Sequence, residues 1–141
     1  MVLKLEGFGY DNEEFYKFSL EIRQQVLVLE FGFDKHLEFD GRDFKAMHYI
    51  LFFNSQAVGC ARWTEKDHII SIDRFCILKD FRNRGFGHLL IKFIIEDVLP
   101  SKKKLNLLTI SQNSSFFQIY RFKQSGKFEK MGDTMYEVLN F

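Results

Sequence analysis

The amino-acid sequence predicts an α/β (α+β) fold with a mixed, mostly antiparallel sheet of six to seven strands flanked by helices. Runs rich in β-branched and aromatic residues alternate with runs whose apolar residues recur at helical spacing. No Pro-, Gly- or Ser-rich linker interrupts the 141 residues, and 46% of them are hydrophobic, which is enough for a single core. We therefore expect residues 1–141 to form one domain.

The first half of the chain predicts a strand, a helix and an antiparallel meander. Residues 2–9 form the strand, and Asp11 or Asn12 can cap a helix that continues to about residue 29. Residues 30–44 are acidic and irregular. The predicted meander strands lie at 48–53, 58–64 and 69–78.

The second half predicts two further helix–strand units. A helix from about residue 86 to 98 ends before Pro100, the single proline of the chain. The predicted elements after it are a strand at 105–110, a short helix at 114–120 and two strands at 123–130 and 134–139. Gly132-Asp133 suits the turn of that last hairpin. The predicted order is β-α-(α)-β-β-β-α-β-α-β-β.

Composition and charge exclude several classes of protein. The net charge is +1, from 20 basic and 19 acidic residues, so no global attraction to nucleic acid or to a membrane surface is expected. The chain lacks a signal-peptide pattern, and no stretch approaches the roughly 20 apolar residues of a membrane helix. Cys60 and Cys76 lie in strand-like runs as expected for buried thiols. We expect a protein of the reducing cytoplasm.

The most informative motif is the cradle loop, residues 82–87, with the sequence Arg-Asn-Arg-Gly-Phe-Gly. It joins a strand-like run to a helix-like run, so its glycines lead into a helix N-terminus. The first N–H groups of a helix have no intrahelical partner and carry the positive end of the helix dipole. Two arginines add donors suited to a pyrophosphate. The loop therefore predicts a phosphate-binding site.

Two other phosphate motifs fit this loop less well. A dinucleotide-binding fingerprint needs glycine three residues beyond Gly87, where Leu90 stands. A P-loop needs Lys followed by Ser or Thr after its last glycine, where His88-Leu89 stand.

The block of residues 72–90 resembles the most specific segment of the GNAT superfamily of acetyl-CoA-dependent N-acyltransferases, in which a meander strand runs into Arg-x-x-Gly-x-Gly and a helix. Residues 22–30, followed by Asp40, Asp43 and His48, look like the ElaA/YjcF-like branch of small acetyltransferases. The resemblance implies a sheet that splays apart at its central strands. It also implies acetyl-CoA or coenzyme A as cosubstrate and an amine as acceptor.

The same resemblance assigns the cofactor-binding residues. Backbone N–H groups from Asn83 to His88 would hold the CoA pyrophosphate, and the pantetheine arm would pair with the free edge of the third meander strand. Asn113 would face the pantetheine amide, although it could equally cap the short helix. The implied set is Phe75, Cys76, Ile77, Arg82, Asn83, Arg84, Gly85, Phe86, Gly87, His88, Asn113 and Phe117.

Glu30 and Asp73 are the candidate general bases. Glu30 follows an apolar run and matches an acidic residue of the branch, with a surface helix end as its alternative. Asp73 lies beside the expected acyl site. The alternative to catalysis is that it forms an ion pair with Arg62 or Arg74. The histidines His36 and His48 could also be bases, with a structural role as the alternative.

The general acid is where the chain departs from its relatives. Many of them carry a tyrosine in the short helix, and counting back from Phe122 places Phe117 at that position. A phenyl ring cannot protonate the leaving thiolate. Tyr120, three residues later, could substitute, with core packing as its alternative.

The leading hypothesis is an N-acetyltransferase that acts without a metal, because the histidines and cysteines lack zinc-site spacing. An acyl-CoA-binding sensor with weak turnover is the alternative, and acyl-homoserine-lactone synthesis is a more distant one. Glu38, Asp40 and Asp43 suggest a cationic acceptor, but a solvated acidic loop is the favoured interpretation. A homodimer is left open.

Overall fold

The computed structural model describes residues 2–141. Its seven strands form one sheet in the order β1-β2-β3-β4-β5-β7-β6, which confirms the predicted fold class. The strands are β1 (Leu3–Phe8), β2 (Met47–Phe53), β3 (Gln56–Lys66), β4 (Ile69–Ile77), β5 (Lys104–Ile110), β6 (Lys123–Met131) and β7 (Thr134–Asn140). The helices are α1 (Glu13–Arg23), α2 (Lys35–Glu38), α3 (Phe86–Val98) and α4 (Ser114–Gln118). No helix within residues 2–141 is long and apolar enough to cross a membrane.

The first helical segment begins with a side-chain cap and ends as a π-helix. Of the two predicted capping residues, Asn12 does the capping, because its Oδ1 accepts a hydrogen bond from the N–H of Phe15 at 3.1 Å. The α1 helix then runs directly into a π-helix at Gln24–Glu30, which covers the predicted extent to residue 29. A π-helix is uncommon and often lies at a functional site, because its wider turn re-aims side chains.

The sheet opens between β4 and β5, and this opening positions the site. These two strands pair in parallel only where Ile69–Ile72 lie beside Lys104–Leu107. Beyond Ile72, β4 keeps its antiparallel pairing with β3, while β5 pairs with β7. Residues 73–77 of β4 therefore have one backbone edge that β5 does not cover.

Helices cover both faces of the sheet with separate apolar cores. On one face, Leu90 and Ile94 of α3 pack against Ile70, Ile72 and Leu107. On the other face, the core contains Ile22, Val26 and Leu27 from the first helical segment, together with Cys60 and Cys76. Because side chains alternate along a strand, β3 and β4 contribute to both cores. The opening between β4 and β5 thus connects the two faces.

Candidate active site

A cavity of about 620 Å³ occupies the opening between β4 and β5. Its walls come from the π-helix, β4, the cradle loop, β5, α4 and β7. The lining residues are Val26, Leu27, Phe31, Phe33, Arg74, Phe75, Cys76, Ile77, Phe81, Arg82, Asn83, Gly85, Gly87, His88, Leu108, Thr109, Ile110, Asn113, Phe116, Phe117 and Tyr136. The structure thus brings the predicted phosphate loop and the free edge of β4 into one cavity.

The cradle loop presents the uncapped N-terminus of α3 to this cavity. Gly85 is the residue before the helix and has φ of +84°, a left-handed conformation that favours glycine. No side chain caps the helix here, so its first N–H groups stay available. Asn83 also has positive φ, at 63°, and both residues line the cavity.

The two predicted cradle arginines are placed differently. Arg82 lines the cavity, and its Nε donates to the carbonyl of Ile77 at 2.9 Å. Arg84 lies over the Phe81 ring at 5.3 Å and is outside the cavity lining. Phe86 is buried against Phe81, so only its backbone can face a ligand.

Glu30 pairs with the cradle arginine. Arg82 donates to the two Glu30 carboxylate oxygens at 2.6 and 2.7 Å, which gives a bidentate pair across the mouth of the cavity. The hydrogen bonds from Arg82 lower the pKa of Glu30. Glu30 is also outside the cavity lining. The predicted base is therefore an ionised carboxylate held against Arg82 of the cradle loop.

Asp73 is held in a buried ionic network rather than facing the cavity. Arg62 donates to its two carboxylate oxygens, each at 2.8 Å, and Arg74 adds a longer contact at 3.3 Å. Asp73 is buried and outside the lining. These contacts match the pairing that the sequence offered as the alternative to catalysis.

The interpretation of the acidic loop as a solvated segment is wrong. Glu38 and Asp43 are buried, and the Asp40 side chain is only 15% exposed. Three arginines of α1, β3 and β4 reach these carboxylates, because the loop folds back over the sheet. The pairs are Arg23 with Glu38 and Asp43, Arg62 with Asp40, Asp43 and Asp73, and Arg74 with Glu38, Asp40 and Asp73. The carboxylates already have cationic partners inside the protein.

This network makes stability depend on pH in acid. Burial alone would raise the pKa of Asp40, but the hydrogen bonds and charge of Arg62 lower it below its ordinary value. The unfolded chain therefore takes up this proton at a higher pH than the folded protein. The stabilisation that the ionised Asp40 contributes is complete above about pH 5 and is lost as the pH falls through the folded-state pKa of Asp40.

We expect the free energy of unfolding to fall between pH 5 and pH 3, and we expect Asp40→Asn to flatten this slope. Urea unfolding at several pH values measures it. Asp133→Asn, in the exposed turn between β6 and β7, is the control and should leave the slope unchanged. An Asp40→Asn variant with the wild-type slope would contradict this assignment.

Two other predicted ionisable residues lie outside the cavity. His48 is buried, its Nε2 is 2.9 Å from the carbonyl of Asp43, and burial lowers its pKa. His36 is exposed on α2. The buried, hydrogen-bonded position of His48 fits the structural alternative, whereas the exposed His36 side chain makes no hydrogen bond within residues 2–141.

The α4 side of the cavity is aromatic and has one polar pair. Phe117 is buried, lines the cavity and makes an edge contact with Phe75 at 5.2 Å between ring centroids. The Tyr120 hydroxyl and His88 Nδ1 share a hydrogen bond. Tyr120 is not in the lining, but His88 is. Tyr120 could replace the tyrosine that many relatives carry at the position of Phe117. Its hydroxyl contacts the cavity wall through its hydrogen bond to His88.

Two further predicted cofactor-binding residues are informative. Asn113 precedes α4 but makes no capping hydrogen bond, and it lines the cavity. Cys76 also lines the cavity, opposite Cys60 in the neighbouring strand. Burial and the contact with the Cys60 thiol raise the pKa of Cys76 well above its ordinary value. Cys76 therefore behaves as an apolar wall rather than a nucleophile.

Tyr136 is a cavity residue that was not predicted from the sequence. It lies on β7, lines the cavity and packs edge-on against Phe33, with 5.9 Å between ring centroids. Burial raises its pKa to about 12. A tyrosine in a terminal strand is indistinguishable from a packing residue in the sequence, and only its spacing of two residues from Val138 indicated that the two side chains share a face. Within residues 2–141, no group of three His, Cys, Asp or Glu side chains is arranged to hold a metal ion.

Comparison with known proteins gives one consistent result. A model of the acetyltransferase (GNAT) domain matches residues 45–132. Uncharacterized N-acetyltransferase YjcF of Bacillus subtilis is 31% identical over 81 residues, which are 57% of this chain and 58% of YjcF. The chain therefore aligns with less than two thirds of that relative.

Solved structures share the fold at low identity. Escherichia coli ElaA has a TM-score of 0.87 at 17% identity, and the match covers 99% of this chain and 100% of ElaA. A GNAT family acetyltransferase from Elizabethkingia anophelis, solved with acetyl-CoA bound, has a TM-score of 0.66 at 15% identity, covering 99% of this chain and 97% of that one.

Proposed function

Because the chain belongs to the GNAT acetyltransferase family, we propose that it transfers an acetyl group from acetyl-CoA to a primary amine by direct attack. The observation that carries this proposal is the single cavity that joins the uncapped N-terminus of α3 to the free edge of β4. The acetyl-CoA in the E. anophelis structure supports the same cosubstrate. The free thiols of Cys60 and Cys76 support a location in the reducing cytoplasm.

The cradle loop and β4 would hold the cosubstrate at two points. Backbone N–H groups from Asn83 to His88 would bind the pyrophosphate, as expected for an anion at a helix N-terminus. The unpaired edge at Phe75–Ile77 would bind the pantetheine arm as an added strand. The β3 strand pairs with the other edge of β4 at Cys76 and Ile77, so the ligand would add to a strand that is already part of the sheet.

The reaction needs a neutral amine and a proton for the leaving thiolate. The amine nitrogen forms a bond to the thioester carbonyl carbon, and the carbon–sulfur bond breaks. Among the candidates, Tyr120 is hydrogen-bonded to a side chain that lines the cavity, namely His88. We assign proton return to this pair, because Phe117 has no hydroxyl to donate.

A direct assay tests the proposal. We expect the full chain to release CoA thiol from acetyl-CoA when primary amines are supplied, with an amide as the second product. Tyr120→Phe should lower kcat without changing the Kd of CoA. The absence of thiol release and of amide product across a broad amine panel would contradict the enzyme.

An acyl-CoA-binding protein with weak or no turnover is the second candidate function. The observation that favours it is Phe117, which lines the cavity with a ring that cannot donate a proton. Measurable CoA binding without thiol release would support this candidate.

Glu30→Gln separates two roles for that residue. The bidentate contact neutralises Arg82, so removing the Glu30 charge should strengthen attraction for the anionic pyrophosphate. We expect the KM for acetyl-CoA to fall about three- to tenfold at low salt, with kcat within about threefold of wild type.

The matched control is Glu65→Gln, because Glu65 pairs with Lys103 at 2.7 Å in a similarly exposed salt bridge outside the cavity. Glu65→Gln should leave the KM for acetyl-CoA and kcat unchanged. A loss of kcat of about 100-fold in Glu30→Gln, with loss of the acidic limb of the pH profile, would instead make Glu30 the general base.

A further inference from the structure

The cavity has a second half, which we call the acceptor half, formed by Leu27, Phe33, Leu108, Ile110 and Tyr136. Leu27 and Phe33 belong to the core on the α1 face of the sheet. Leu107 packs on the opposite face, and side chains alternate along β5, so Leu108 and Ile110 both point to the α1 face. Tyr136 lies opposite Ile110 in the ladder. The acceptor half therefore faces away from α3 and α4.

No carboxylate lines the cavity in the described part of the chain. The charged residues in its wall are Arg74 and Arg82. Four nearby carboxylates that could have faced an ammonium group are paired with arginines instead, namely Glu38, Asp40, Asp43 and Asp73. A second ammonium on the acceptor would thus enter this space without a counter-charge, which is unfavourable.

Arg74 is equally unable to recruit an anionic acceptor. Its Nε lies 3.0 Å from a carboxylate oxygen of Glu38, and its Nη1 lies 3.3 Å from Asp73. Its Nη2 donates to the carbonyl of Leu37 at 3.1 Å and to Asp40 at 3.3 Å. All of its nitrogens have internal acceptors. The wall of the acceptor half is therefore apolar apart from one side chain.

That side chain is Tyr136. Its hydroxyl makes no hydrogen bond to any other group within residues 2–141, unlike those of Tyr16 and Tyr49, which donate to carboxylates. Its ring is held by Phe33. Since its pKa is about 12, the phenol stays protonated at neutral pH and cannot act as a base. It is an uncommitted neutral hydrogen-bonding group in an apolar wall.

We propose that the acceptor is a lipophilic primary monoamine, whose apolar body contacts Leu27 and Phe33 while the Tyr136 hydroxyl hydrogen-bonds its amino group. The inference rests on the proposed acetyl transfer. An apolar wall favours the neutral amine over the ammonium, so the site itself supports deprotonation before attack. The balanced reaction converts the amine and acetyl-CoA to an N-acetyl amide and CoA thiol, with the amine proton passing to the thiolate.

Steady-state assays of the full chain with 2-phenylethylamine and with spermidine test the substrate class. We expect kcat/KM to be at least tenfold higher for 2-phenylethylamine, because an apolar group in a fitting pocket changes specificity by about 10- to 200-fold. Phe33→Leu should raise the KM for 2-phenylethylamine and leave the KM for acetyl-CoA unchanged. Phe128→Leu, on the exposed face of β6, is the control and should change neither.

Tyr136→Phe tests the polar contact. It should lower kcat/KM for 2-phenylethylamine about tenfold without changing the unfolding midpoint, because the hydroxyl has no partner in the protein to lose. A structural role would move the midpoint instead. Unchanged kinetics in Tyr136→Phe would overturn the role of Tyr136.

A binding measurement separates this inference from the proposed function. Titration of the CoA-loaded protein with each amine reports affinity without turnover. Selective binding of 2-phenylethylamine without thiol release would support the ligand class and contradict the transferase. Higher kcat/KM for spermidine would overturn the ligand class while the transferase stands. If neither amine binds or reacts, the ligand class is wrong.

Discussion

Valine at Gly85 is expected to abolish CoA binding while the protein stays folded. Gly85 has φ of +84°, which a β-branched residue adopts only under strain, so the turn before α3 must rearrange. That rearrangement re-aims the N–H groups of Phe86 and Gly87. Hydrogen bonds to a charged group are worth about 1.5–3 kcal/mol each, so losing two should weaken CoA binding at least 100-fold. Calorimetric titration with CoA measures the loss.

Gly126→Val is the matched control. Gly126 has φ of +79° in β6, and a Cβ there would meet no atom within 4 Å, as at Gly85. Both variants should lose about 1–2 kcal/mol of stability, but only Gly85→Val should lose CoA. Gly87 does not have a positive φ, so Gly87→Val tests the same loop without backbone strain. Its Cβ would lie 3.1 Å from the Phe116 ring and would crowd it. Wild-type CoA affinity in both loop variants would show that the cradle loop is not the pyrophosphate site.

Replacing Arg62 with methionine is expected to cause the largest loss of stability. The Arg62 side chain is 1% exposed and contacts Asp40, Asp43 and Asp73 at 2.8–3.1 Å. Without it, the carboxylates of Glu38, Asp40, Asp43 and Asp73 keep only two buried arginines, Arg23 and Arg74. Removing one partner of a buried ion pair typically costs about 3–5 kcal/mol, because the remaining charge is left unpaired. Urea unfolding measures this loss.

Arg42→Met is the control, because Arg42 also pairs with Asp40, at 2.9 Å, but is 50% exposed. An exposed pair contributes about 0–1 kcal/mol, since water replaces the lost contact. The two variants thus remove arginines from the same carboxylate at different depths. Equal losses, or a loss under about 1 kcal/mol in Arg62→Met, would mean that the buried network contributes little to stability.

The elements of the fold could be predicted because their signals are local. Asn12 and Gly85 lie at the starts of helices, and Pro100 follows the end of one, so neighbouring residues carry the information. The cradle loop was recognisable for the same reason. Its strand, turn and helix are consecutive in the chain.

The pairing of polar side chains could not be predicted. Asp40 meets Arg62 across 22 residues, and Asp43 meets Arg23 across 20. Nothing local in the acidic segment indicates that it is buried. The signal available was the presence of arginines within apolar helical and strand runs, since a charged residue there needs a partner. The pairing of Glu30 could not be predicted either, because its partner Arg82 is 52 residues away in the chain.

The sequence by itself determined the order of helices and strands and the family, and it predicted a phosphate loop, because periodicity, caps and glycine turns depend on neighbouring residues. Only the tertiary structure decided which polar groups face the cavity and which face one another. Burial requires each charge to find a partner, and the folded chain supplies partners from distant elements. The buried carboxylates thereby pair with arginines instead of lining the cavity, and the Tyr136 hydroxyl has no hydrogen-bond partner within residues 2–141.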